Sequence, residues 1–123
     1  MKNDVISAVD ALLPDANYVV HEPYGYDQLF ILDDSGIKPT KEAIEAKIVE
    51  LDAAEPMRLL RHHRDILLLE SDWTQYPDVP DETKTKWQAY RQSLRDLPAS
   101  ADPKLDSNYN LDMTSVSWPV KPS

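Results

Sequence analysis

The chain has 123 residues, with 13 Lys and Arg against 22 Asp and Glu, a formal charge of −9 and no cysteine. That length predicts one compact unit, or one unit with an arm, burying roughly 60–70% of its unfolded surface, so the core is modest and a partner can add to it. The acidic balance opposes general binding to nucleic acid or anionic lipid, and the missing thiols exclude disulfides and cysteine-ligated zinc.

At the start, "MKNDVISAVDALLPD" carries acids through its apolar part, which reads against a signal peptide. Val5, Ile6, Val9, Leu12 and Leu13 fall at spacings of three and four. They predict a short amphipathic helix that ends near Pro14. Tyr18, Val19 and Val20, then Leu29, Phe30, Ile31 and Leu32, predict two antiparallel strands joined through "EPYGYD" and ended by "DDSG". A lone hairpin is marginal in water, so it must pack on a helix, find a third strand or pair with another chain.

A long helical stretch begins at "KPTKEAIEAKIVEL", with Thr40 as N-cap and Glu42 in the first turn. Ile44, Ile48 and Leu51 start a stripe that, carried at the same period past Pro56, reaches Glu55, Leu59, His62, Ile66 and Leu69. An interior proline costs about 3 kcal/mol. The expectation is therefore one kinked helix of about 29 residues or two helices divided at Glu55-Pro56, with the split or a definite kink favoured. Such length also raises association between chains.

Residues 71–80, "SDWTQYPDVP", form a linker. Ser71 or Asp72 is expected to bond the backbone beyond the helix end, while Pro77 and Pro80 restrict the path. Trp73 and Tyr76 are expected to clasp helix 57–70 against helix 82–97, meeting Trp87 and Tyr90. On that last helix Trp87, Tyr90, Leu94 and Leu97 line one face, Lys84, Arg91 and Arg95 lie on its flank, and Pro98 ends the run. The stretch after it is rich in Ser, Asp, Asn and Pro and reads as extended or mobile. Tyr109, Leu111, Met113, Val116 and Trp118 are its candidate anchors.

The predicted fold class is α+β: a small N-terminal helix plus β-hairpin packed on a long or kinked helix, then a C-terminal helix and an extended tail. Three domains are expected, namely an α+β head at 1–55, a helical module with the Trp-containing linker at 56–98, and the tail at 99–123.

Catalytic chemistry finds little support. In "RHHRD", adjacent helical histidines point about 100° apart and cannot both ligate one metal. His62 is expected in the half-buried stripe and His63 on its flank. Arg58, Arg61 and Arg64 form a basic strip expected to pair with acids such as Asp65. The carboxylates Asp33, Asp34, Asp65, Glu70 and Asp72 are not spaced to face one another across a cleft. Two glycines are too few for a phosphate cradle. No catalytic residue, metal or cofactor is predicted, and the chain reads as a non-enzyme.

"RDILLLESDWTQYPDVP", "WQAYRQSLRDLP" and the late "WPVKP" resemble the C-terminal region of the tailed-bacteriophage tail (fibre) assembly chaperone family. The resemblance rests on Arg64-Asp65, Leu67 to Leu69, Ser71-Asp72-Trp73-Thr74-Gln75, Pro77-Asp78, Trp87, Tyr90-Arg91, Leu94-Arg95-Asp96 and Pro98. It covers 56–98 closely and Trp118-Pro119 more loosely. Against the family pattern the segment before Trp87 is short, which assigns the helix cap to Asp81 with Glu82 in the first turn.

The resemblance implies a protein that binds a phage tail fibre or other tail protein and assists its assembly, in the host cytoplasm or in the virion tail. Trp73, Tyr76, Trp87, Tyr90, Arg91, Arg95 and Trp118 are the candidate protein-binding residues. A homo-oligomer is a further expected association; nucleic acid and membrane are not expected partners. The alternative is a permanent virion component, an adaptor or fibre-network subunit. A third class, an acidic mimic of nucleic acid, conflicts with the basic strip at Arg58, Arg61 and Arg64.

Overall fold

The computed structural model describes residues 3–32 and 37–123. The predicted end of the second strand, Asp33 to Gly36, lies outside the described residues. In chain order the elements are α1 (Val5–Leu12), β1 (Tyr18–Val20), β2 (Leu29–Ile31), α2 (Lys41–Glu70) and α3 (Asp81–Ser100), with short 3-10 turns at Tyr26–Gln28, Asp72–Gln75 and Met113–Ser115. This is the α+β architecture expected. The chain divides into two compact units, Met1–Glu55 and Pro56–Ser123.

In the first unit, Asp4 caps α1 by accepting from the Ser7 N–H at 3.0 Å. β1 and β2 pair antiparallel in the register Tyr18↔Ile31, Val19↔Phe30, Val20↔Leu29. Alternation along β2 buries Leu29 completely and leaves Phe30 half exposed. The buried face meets the need of a hairpin too small to stand alone. Leu29 joins Ala8, Val9 and Ile44 in one core, with Val5, Leu12, Tyr18, Val20, Tyr26, Ile31 and Ile48 packed around it. Polar ties hold its rim: the Tyr26 hydroxyl donates to the Pro39 carbonyl at 2.6 Å, and Asn3 donates to Asp52 through both its backbone and side-chain nitrogens. Thr40 behaves as the predicted cap, its hydroxyl accepting from the Ala43 N–H at 3.1 Å.

α2 runs unbroken for 30 residues, with Pro56 inside it. The single helix removes the split at Glu55-Pro56 and agrees with the one-helix alternative; proline removes only one amide donor, the one that would serve the Asp52 carbonyl four residues back. The extrapolated stripe does not survive the proline. Leu60 is fully buried, whereas Ile66 is 40% and Leu69 72% exposed, and His62 is exposed too. Beyond Pro56 the inward positions advance by one residue, to buried Leu60 and half-buried His63 and Leu67, with Met57 half-buried before them. The reason is that this part of α2 packs on a different core from the part before the proline.

That core, in the second unit, joins Leu60 with Leu97 of α3 and Val116 of the C-terminal stretch, and Met57, Ala101, Leu111 and Trp118 pack against it. Two expectations for α3 are corrected. Its N-cap is Pro80, which gives no side-chain bond, so Asp81 is the first helical residue and shares the first turn with Glu82. Two carboxylates there meet the positive end of the helix, which serves in place of a capping side chain. The helix also passes Pro98 and ends at Ser100, with the Ala101 N–H bonding the Leu97 carbonyl at 3.0 Å. Burial of Leu97 holds the chain helical across the missing donor.

After α3 the chain has little regular structure, yet it is tied at several points. Leu105 and Leu111 form an isolated antiparallel bridge, Asp106 accepts from the Asn108 and Asn110 N–H groups, and Asp112 caps the last 3-10 turn. Leu111, Val116 and Trp118 act as anchors, whereas Tyr109 and Met113 are exposed.

Two measurements check this fold. Leu60→Ala should cost about 2–5 kcal/mol in urea unfolding, the range for a buried leucine, while Leu69→Ala should change stability by less than ~0.5 kcal/mol; the reverse order would restore the extrapolated stripe. The Tyr18 hydroxyl donates to Asp10 at 2.5 Å. This bond, then burial and the charges of Asp10 and Asp4, push its pKa from 10.0 up to about 12. Its contribution to stability is whole below pH 10.0 and is lost as the pH rises through about 12. Ultraviolet titration should show one late phenol that moves towards its ordinary value in Asp10→Asn.

Candidate protein-binding site

The site is built where α2 stops. A helix end leaves carbonyls without partners, and here one side chain of α3 reaches them. The Arg91 guanidinium donates through one nitrogen to the Leu68 carbonyl at 2.8 Å and the Ser71 hydroxyl at 2.7 Å, and through the other it pairs with Asp72 at 2.9 Å. The side chain is only 12% exposed. A cation at the negative end of a helix is favourable, and the planar fork serves three acceptors at once. Ser71 is buried and turns the chain by bonding back to Leu68 through both N–H and hydroxyl. Fully buried Thr74 repeats the device, its hydroxyl donating to the Ser71 carbonyl at 2.6 Å.

Between these two buried polar residues the 3-10 turn Asp72–Gln75 projects Trp73 outward. Its ring lies 5.8 Å from that of Trp87, and Trp87 meets Tyr90 edge-on at 5.5 Å. The three rings form a graded series: Tyr90 is buried, Trp87 half-buried, and Trp73 50% exposed. Burial, and secondarily the charge of Glu70, raise the pKa of the Tyr90 phenol. Tyr76 follows on the same connector and is 60% exposed. Beneath it the Lys84 ammonium reaches the Pro77 carbonyl at 3.5 Å.

Of the expected clasp, Trp73 meets Trp87 and Trp87 meets Tyr90, whereas Tyr76 is exposed and joins no ring pair among the described residues. Arg91 was expected to lie at an exposed ring surface, and instead it is spent on the helix end and Asp72. Arg95 is exposed and donates to Gln92 at 3.4 Å. Trp118 belongs to the Leu60 core and packs edge-on against His63 at 4.8 Å; its indole nitrogen is buried with no acceptor among the described residues. His63, not His62, is therefore the half-buried histidine, because the advance in burial past Pro56 turns that position inward. Thr74 was missed as a framework residue, and Ser71, expected to bond the backbone beyond the helix end, bonds back to Leu68 instead. Their signal in the sequence was small hydroxyl side chains three apart, the spacing at which each can bond the turn before it. Among the described residues no group of His, Asp or Glu is placed to hold a metal ion.

A family model described as phage tail assembly chaperone protein matches residues 57–123. The match takes in the C-terminal part of α2, the connector, α3 and the stretch after it. Neither curated proteins nor solved structures return a match to the chain.

The exposure gradient predicts a stability gradient. Trp87→Ala should cost about 3 kcal/mol and Trp73→Ala about 1 kcal/mol or less. Arg91→Ala should cost about 1–3 kcal/mol, since it strips donors from the Leu68 carbonyl and buried Ser71, and Arg91→Lys should recover little of it. Chemical denaturation of the four variants checks the order.

Proposed function

The chain belongs to the phage tail assembly chaperone family, and on that premise we propose that it binds a tail protein, in particular a tail fibre, through the exposed rings of Trp73 and Tyr76. The carrying observation is the half-open Trp73, held by a buried Ser71–Thr74–Arg91 frame rather than by a flexible loop. Aromatic side chains on a rigid support give large contact area at small entropic cost, the usual composition of a binding hot spot. Trp87 and Tyr90 back the contact, while Arg95 bonds Gln92 and Trp118 packs in the Leu60 core. Arg91 serves it by holding the connector.

The action is reversible shielding: apolar surface on an unassembled tail component is covered until its own partner replaces the chaperone. No covalent chemistry is required, and we assign no catalytic residue, metal or cofactor. Assembly places the protein in the infected host cell. No helix among the described residues is long and apolar enough to cross a membrane.

The test uses the full chain and the purified fibre. Co-expression should raise fibre solubility and give a complex on a sizing column, and Trp73→Ala with Tyr76→Ala should abolish the complex while the protein remains folded by circular dichroism. Mass spectrometry of mature particles should find the protein absent. Unchanged fibre solubility without a complex overturns the reading, and stoichiometric presence in the particle assigns a permanent adaptor role instead.

A further inference from the structure

Resting on the reading that Trp73 and Tyr76 form the contact surface, we infer that the tail-protein segment docking there is cationic, an Arg- or Lys-bearing stretch whose side chain lies over one of these rings and whose charge is met by the carboxylates of the connector. Between Arg64 and Lys84 the chain carries six acids, Asp65, Glu70, Asp72, Asp78, Asp81 and Glu82, and no base. Four of them are paired: Asp65 with Arg64, Glu70 with Lys121, Asp72 with Arg91 and Glu82 with Lys86. Asp78 and Asp81 are exposed and carry no ion pair among the described residues. Asp78 directly follows Tyr76 and Pro77, and Asp81 directly follows Pro80. The nearby cations are already engaged, Lys84 with the Pro77 carbonyl and Lys86 with Glu82.

Charge decides among occupants. A neutral apolar segment would cover the rings and desolvate Asp78 without giving it a partner, which is unfavourable. A second copy of this chain would set the same acidic patch against itself in an isologous contact, between molecules of charge −9. Nucleic acid is repelled for the same reason. A basic side chain satisfies both halves of the surface, stacking on an indole face and meeting a carboxylate. The chain shows this packing elsewhere, where the Lys38 ammonium sits 4.3 Å from the centre of the Tyr26 ring.

Two synthetic peptides of equal length test the inference, one with arginines spaced by Gly and Ser, the other with Gln in their place. The arginine peptide should shift the Trp73 indole N–H resonance, and raising salt from about 50 to about 500 mM should weaken binding roughly tenfold. By calorimetry, Asp78→Asn should weaken it about fivefold without a change in Tm, and Trp73→Ala about fivefold with no more than the small stability loss expected of that variant. Equal binding of the Gln peptide, or arginine binding indifferent to Trp73→Ala, overturns the inference. The same titration on the complex with the purified tail fibre separates the two ideas. A complex that needs Trp73 but resists both salt and arginine peptide overturns the cationic partner and leaves the assembly role standing. Trp73-dependent arginine binding without any fibre complex supports the patch chemistry and removes the role.

Discussion

The guanidinium of Arg91 is the contact on which the second unit turns. It adds a donor to the Leu68 carbonyl at the helix end, neutralises Asp72 at the start of the connector and ties α3 to the last turn of α2. Without it the Leu68 carbonyl and the buried Ser71 hydroxyl would keep only their bond to each other and the bond from the Ser71 N–H, and each would lose a charge-assisted partner in a site largely closed to water. The connector is short because this one side chain does the work of a longer capping loop. Its rigidity, in turn, is what allows an indole to stand half in solvent with a fixed orientation.

A graded aromatic series follows from that constraint. Tyr90 belongs to the interior, Trp87 bridges, and Trp73 faces outward. The inner ring contributes to folding and the outer ring stays half exposed, so under the proposed function stability and binding draw on different members of one contiguous cluster. This arrangement suits a protein that must be folded before its partner arrives. It also explains why a family pattern confined to residues 57–123 holds the connector and α3 together: neither is complete alone.

The first unit solves a separate problem. Two three-residue strands cannot bury enough apolar surface to persist in water. Leu29 enters a core shared with Ala8, Val9 and Ile44, and the hairpin becomes one wall of it. The prolines of both long helices teach a related lesson. Pro56 and Pro98 each remove one amide donor, and each helix passes through, with buried Leu60 one turn after the first and buried Leu97 directly before the second. The local penalty of a proline is real but finite, and packing of the next turn outweighs it.

The linear order of residues determined the local features: the short first helix, the hairpin register allowed by alternating β-formers, Thr40 as a cap, and the ring face of α3. Each depends on groups within a turn or two of one another, where periodicity and steric preference suffice. The aromatic meeting of Trp73 with Trp87 was legible for the same reason, since a short proline-bounded connector leaves the rings few other places to go. Tertiary structure alone decided which face of α2 is buried past Pro56, and with it the exchange of roles between His62 and His63. It alone gave Arg91 its place at a helix end and carried α3 beyond Pro98. Those outcomes depend on side chains more than twenty positions away, such as Val116 against Leu60, and no local pattern encodes a contact whose partner is supplied by the rest of the fold.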